Sequence, residues 1–214
     1  RGYVALTISY RLTQPDPKTK VARHPFPAQI HDCKAAIRWL KQHAQEYNVD
    51  PNRIGVTGGS AGGHLSLLIG LTDDKAGLEG DGGDPTISTR VQAVVNVFGP
   101  TDMVTCCKTS PGAKPIIESF LGGTADEIPE AYKVSSPVTY VSADDPPVLT
   151  LHGDKDTLVP PEQAKILDEK LKAAGGKHTL RIIEGAGHGF GGPAAELANK
   201  ATWDFFAEHL KPGK

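Results

Sequence analysis

The sequence predicts an α/β fold, a mostly parallel sheet with helices on both faces. Two observations carry this expectation. Short apolar, β-branched runs alternate with longer stretches of helical periodicity, the pattern of strands joined by crossover helices. A Gly-rich turn holding a serine, Gly58-Gly59-Ser60-Ala61-Gly62, falls at one strand-to-helix junction.

The first element is the run from Gly2 to Tyr10, mostly apolar with β-branched residues, which reads as a buried strand. A Pro-rich loop follows over residues 14–27. A helix is expected from about Ala28 to Tyr47, because Ile30, Cys33, Ile37, Leu40, Ala44 and Tyr47 are spaced three and four apart and form one stripe. Asp50-Pro51 breaks the chain within a turn at 48–53. Ile54 to Thr57 reads as a strand and Ala61 to about Thr72 as the helix after it. Residues 73–89 are polar and Gly-rich, hence a loop. Further strands are expected at Val91–Phe98, Pro147–Leu151 and Thr179–Ile183, and helices at Pro161–Ala174 and Pro193–Leu210. The stretch 101–145 is less regular, with one short helix near Pro115–Leu121, and is expected to lie over the carboxyl edge of the sheet and shape a pocket. In such sheets ligands sit outside the carboxyl ends of the strands.

Composition narrows the function. The 214 residues suffice for one domain with its own core, and residues 1–214 read as a single catalytic domain. A net charge of -2 with scattered Lys and Arg argues against a nucleic-acid partner, which needs a basic stripe. No apolar run approaches the roughly 20 residues of a membrane span. The three cysteines form no C-x-x-C pair. Cys33 falls on the apolar stripe of its helix; Cys106 and Cys107 are adjacent in an expected loop, with a disulfide left open. The acidic loop containing Asp73, Asp74, Glu79, Asp81 and Asp84 does not match an EF-hand and reads as solvated surface. No metal site and no cofactor are expected. The chain enters an apolar run directly after Arg1, without Met or a signal peptide, and so reads as N-terminally incomplete. Its compartment stays open, secretion or a periplasmic location included, as does its oligomeric state.

The chemistry is expected at three loops. G-x-S-x-G places Ser60 on a sharp turn that pushes its hydroxyl out at the sheet edge, and glycines on either side permit close backbone passage. A serine hydroxyl needs a base. Among eight histidines, His188 follows the last strand and precedes the last helix, at a carboxyl end where it reaches Ser60. His43 and His209 lie on helices, His64 within the helix after Ser60, His178 at the opposite sheet end, and His24 and His31 beside the Pro-rich loop, where they line a pocket at best. The base needs a carboxylate. In His152-Gly153-Asp154-Lys155-Asp156, Asp156 lies further out in the loop and is favoured; Asp154 is expected to structure the turn, Asp102 is the reserve, and His152 is expected to be structural. The order Ser60, Asp156, His188 is the nucleophile–acid–base order of α/β-hydrolases. The Ala61 backbone N–H is an oxyanion donor.

Over nearly its whole length the sequence resembles the α/β-hydrolase esterases. The resemblance rests on His31-Asp32-Cys33-Lys34-Ala35-Ala36-Ile37-Arg38-Trp39-Leu40 and on the run from Asp50 through Gly58-Gly59-Ser60-Ala61-Gly62 to Leu65. It is most similar to the bifunctional feruloyl and acetylxylan esterases, with kynurenine formamidases as relatives. Gly59 stands where hormone-sensitive-lipase-like esterases carry aspartate. The resemblance implies a small-molecule or carbohydrate ester as substrate, with short acyl and plant-cell-wall feruloyl or acetyl esters foremost. The same triad also serves arylformamidases and peptidases, and the fold also serves non-catalytic binding scaffolds. The resemblance further implies an H-G-G-G oxyanion loop, absent from these residues, on a strand lying between Tyr3–Tyr10 and Ile54–Thr57. With that loop expected upstream of Arg1, it implies either a gap in the sheet or pairing of two strands that are not neighbours, and these 214 residues alone are expected to be poorly stable and nearly inactive.

Overall fold

Four strands, each followed by a helix, build a single parallel sheet. The computed structural model describes residues 1–15 and 22–211; the middle of the Pro-rich loop expected at 14–27 lies outside the described residues. Its two ends form a short antiparallel pair, β1 (Gln14–Pro15) and β2 (Ala22–Arg23). Helix α1 (Ala28–Gln42) follows, then β3 (Gly55–Gly59), α2 (Ala61–Leu71) and β4 (Ala93–Val97). Helices α3 (Met103–Thr109), α4 (Lys114–Leu121) and α5 (Pro129–Ser135) lead to β5 (Val148–Gly153), α6 (Glu162–Ala173), β6 (His178–Ile183) and α7 (Gly192–Leu210). The sheet order is β3-β4-β5-β6, all parallel.

Side-chain alternation along the strands separates two apolar layers. Val94 of β4 and Val148 of β5 face Ile30, Ile37, Leu68 and Leu167 from α1, α2 and α6. Their neighbours Ala93, Val95, Leu149 and Leu151 face Phe205, Phe206 and Leu210 of α7. Central strands buried on both faces read as the continuous apolar runs seen in the sequence. A third cluster, with Met103, Cys106, Ile117 and Tyr132, sits inside the α3–α5 cap.

Three expectations are corrected. Gly2–Tyr10 is not a strand. A strand needs a partner for its backbone groups, and a groove of about 480 Å³, lined by Val4, Leu6 and Ile8 on one side and Ile54 and Val56 on the other, separates this segment from β3. The groove lies where the resemblance implies an intervening strand. The segment is tied down by side chains instead: Tyr3 packs on Trp203 at 5.5 Å between ring centroids, and Ile8 and Tyr10 rest on the α1–α2 core. Helix α1 stops at Gln42 rather than Tyr47, because the backbone tightens (Ala44 N–H donates to Lys41 O) and Asn48 takes a positive φ of 54°. Residues 101–145 hold three helices rather than one, and Cys106 and Cys107 lie in α3 rather than a loop, both as free thiols.

The acidic loop is only partly solvated. Glu79 receives the ammonium of Lys34, which is fully buried on α1, and the guanidinium of Arg38 at 2.5 Å. Thr89 Oγ1 adds a bond at 2.9 Å. Among the described residues no cluster of His, Cys, Asp and Glu is arranged to hold a metal, and no helix is long and apolar enough to cross a membrane.

Candidate active site

Ser60 occupies the junction of β3 and α2 in a strained conformation, φ 54° and ψ -118°, that L-residues rarely adopt. Its backbone N–H donates to Val97 O of β4 at 2.9 Å, which anchors the turn to the sheet. The turn is tight enough that a Cβ on Gly58 would lie 2.5 Å from the backbone of Gly62, whereas one on Gly62 would meet nothing within 4 Å. The close passage expected of both glycines falls on Gly58. The α2 N-terminus lies directly behind the hydroxyl, and its first N–H groups, Ala61 among them, have no partner within the helix.

The loop after β6 brings His188 to Ser60, with Nε2 2.8 Å from Oγ. The loop after β5 brings Asp156, whose Oδ2 lies 2.8 Å from His188 Nδ1. An ionised carboxylate only accepts, so Nδ1 carries the proton and Nε2 is left to accept the Ser60 hydroxyl. Asp156 is 3% exposed, and its Oδ1 accepts the backbone N–H groups of Leu158 at 3.0 Å and Val159 at 2.8 Å. Buried carboxylates need such donors. The Phe98 ring flanks His188 at 4.9 Å and Phe190 at 4.8 Å, which limits where the imidazole can turn.

The competing acids are engaged elsewhere. Asp154 accepts the Gly185 N–H at 2.6 Å and so ties the β5 loop to the β6 loop. Asp102 caps α3 through the Thr105 N–H at 2.9 Å. Among the other histidines, His64 is buried with Nε2 2.7 Å from Ser135 O, and burial pushes its pKa down to about 4. His178 bridges Asp168 at 2.8 Å and Thr150 at 2.9 Å. His24 and His31 are not among the residues that line the pocket at Ser60.

That pocket encloses about 610 Å³ beside Ser60 and Ala61, and its walls include Met103, Cys106, Ile117, Phe120 and Leu158. Among the described residues no Asp, Glu, Lys or Arg lines it. These wall residues were not identified from sequence; the Ile116-Ile117 and Phe120-Leu121 pairs of α4 are the signal that was available. Burial pushes the Cys106 thiol up to about 12, so it stays protonated and contributes bulk rather than nucleophilicity.

A parallel sheet with a strained serine at a strand–helix turn, a histidine after the last strand and an aspartate after the one before it defines an α/β-hydrolase. The chain belongs to the BD-FAE family, whose model matches residues 1–171. It is 33% identical over 198 residues to the esterase LipC and 37% identical over 175 residues to the probable carboxylic ester hydrolase LipM, both of Mycobacterium tuberculosis. These matches cover 89% and 80% of this chain but 46% and 38% of the relatives, so the chain spans less than half of their length. A truncated carbohydrate esterase from gut microbiota superposes with a TM-score of 0.78 at 37% identity, over 86% of this chain and 69% of that one. The propionate-bound Est2 esterase of Thermogutta terrifontis gives 0.71 at 31% identity, over 89% and 69%.

Proposed function

We propose that this chain is the catalytic portion of a serine carboxylic-ester hydrolase working through Ser60, His188 and Asp156. The observation that carries the reading is the unbroken relay from Ser60 Oγ through His188 to Asp156, with both contacts at 2.8 Å. In this mechanism Ser60 Oγ attacks the ester carbonyl carbon while its proton passes to His188 Nε2. Asp156 stabilises the imidazolium, and the Ala61 N–H faces the oxyanion. His188 then gives the proton to the departing alcohol, leaving an acyl-enzyme. Water, deprotonated by His188, attacks the acyl carbon and releases the acid and free Ser60.

For the substrate we propose a short acyl ester or an acyl ester of plant-cell-wall carbohydrate. The mainly apolar lining, without a charged side chain among the described residues, supports a neutral acyl group, and the pocket volume, within the range of drug-sized ligand sites, favours feruloyl over acetyl. The names of the gut-microbial and mycobacterial relatives support ester rather than amide cleavage.

Turnover of p-nitrophenyl esters, methyl ferulate, acetylated xylan, N-formylkynurenine and a peptide substrate tests this. Esters should be cleaved and methyl ferulate should exceed acetylated xylan in kcat/KM. Preference for N-formylkynurenine or the peptide would replace the reading with an arylformamidase or peptidase, and no turnover of any would favour a binding scaffold.

A further inference from the structure

His152 closes β5 and is fully buried, four residues before the acid of the relay. Its Nε2 lies 2.7 Å from Val159 O. A carbonyl only accepts, so Nε2 carries the ring proton. Nδ1 is then bare, and it has no partner among the described residues. Burial holds the His152 pKa below its usual value, which keeps the ring neutral. The same Nε2 edge stands 3.4 Å from Asp156 Oδ2, the oxygen that engages His188. Val159 is thus gripped from both sides: its carbonyl by His152, its N–H by Asp156 Oδ1 at 2.8 Å.

A buried histidine with one unpartnered nitrogen costs stability that an apolar residue would not. The geometry shows what is obtained in return. The loop from Gly153 to Val159 is closed by His152 across its base, and it is joined to the His188 loop by Lys155 N–H to Ala186 O at 2.9 Å and Gly185 N–H to Asp154 at 2.6 Å. A shift of Val159 therefore moves Asp156, and with it His188.

We propose that His152 is a positioning residue of the triad: its Nε2–H holds the Val159 carbonyl and lies against Asp156 Oδ2, fixing the carboxylate that orients His188. The proposal rests on the triad reading above and names a residue outside it.

The test uses kcat, KM and thermal unfolding of the full-length protein on its best p-nitrophenyl ester. Removing the donor in His152→Met should lower kcat on the order of 100-fold, as a misplacement near 1 Å does, while KM changes little. His152→Gln carries its amide nitrogen near the Nε2 position and should recover most of kcat; His152→Asn carries it near Nδ1 and should not. Each variant is compared with and without Asp156→Asn. If His152 acts through Asp156, its substitution should cost little more in that background. Wild-type kcat in His152→Met, equal rates for the Gln and Asn variants, or full additivity with Asp156→Asn would each overturn the proposal. Should His152→Met fail to fold, the Gln and Asn pair decides alone. Wild-type kcat in Asp156→Asn by itself would instead overturn the triad reading, a separate and recognisable result.

Discussion

His188 Nε2 stands 2.8 Å from Ser60 Oγ although 128 residues separate them in the chain. Three loops at the carboxyl edge of one sheet produce this contact, and none has a reason to meet the others except through the fold. If the contact is the catalytic one, Ser60→Ala should lower ester turnover on the order of 10^6-fold, and His188→Ala by a comparable factor, without adding when combined. A fluorophosphonate should label Ser60 in the parent protein, read by peptide mass spectrometry, and should not label Ser60→Ala. Labelling at another serine would discard the assignment.

The elbow makes a sharper demand on Gly58 than on Gly62. A Cβ at Gly58 would lie 2.5 Å from the carbonyl carbon and oxygen of Gly62, backbone atoms that cannot step aside. Gly58→Ala should therefore cost about 3 kcal/mol, the upper range for overpacking, and displace Ser60. At Gly62 the same methyl meets open space, and alanine in a helix gains up to about 1 kcal/mol over glycine. Urea midpoints of the two variants should move in opposite directions; equal destabilisation would contradict the geometry.

Much of this arrangement is legible in the chain because it is written locally. The apolar runs of β4 and β5 and the spacing of Ile30, Cys33 and Ile37 on α1 are short-range patterns, and Ser60, Asp156 and His188 sit just past the strands β3, β5 and β6. What is not legible depends on distant partners. Gly2–Tyr10 carries strand propensity, but pairing is decided by what lies alongside it, here a groove. Glu79 looks like one acid among several until Lys34, 45 residues away, is seen beneath it. Helices α3 and α5 have seven residues each, too few for periodicity to declare itself, though Asp102 three residues before Thr105 is a cap signal that was present.

Stability should fall on mild acidification, with His64 as a main cause. Burial lowers its folded pKa to about 4 from 6.5, so the folded state resists a proton that the unfolded chain accepts. The unfolded state binds more protons between these values, and stability therefore falls as pH drops from 6.5 towards 4 and is complete above 6.5. The shift corresponds to about 3 kcal/mol. His152 and His178, whose pKa values burial also lowers, act in the same direction. Urea midpoints between pH 7.5 and 4.5 should slope less steeply in His64→Gln than in the unsubstituted protein. An unchanged slope would show that His64 is not a source.

The Lys34–Glu79 pair should be costly to break and cheap to replace. Lys34 is fully buried, and burial lowers its pKa despite the carboxylate beside it. Removing Glu79 alone leaves that ammonium with hydrogen bonds to Thr72 O at 3.4 Å and Thr89 Oγ1 at 3.3 Å and only the more distant charge of Asp73 to offset it among the described residues, with the Arg38 charge close by. An uncompensated buried charge costs about 3 to 5 kcal/mol, and the partial exposure of Glu79 places Glu79→Ala towards the lower end. Lys34→Met removes only the buried ammonium, leaves Glu79 paired with the buried Arg38 guanidinium, and fills the same space with an apolar side chain of similar length, so this variant should lie within about 1 kcal/mol of the parent. Arg38, which also bonds the backbone carbonyls of Glu79 and Gly82, should keep the loop on α1 in that variant. A Lys34→Met variant as unstable as Glu79→Ala would mean that the Lys34–Glu79 pair holds the loop through its charge, and that α1 and residues 73–89 are joined by electrostatics rather than packing.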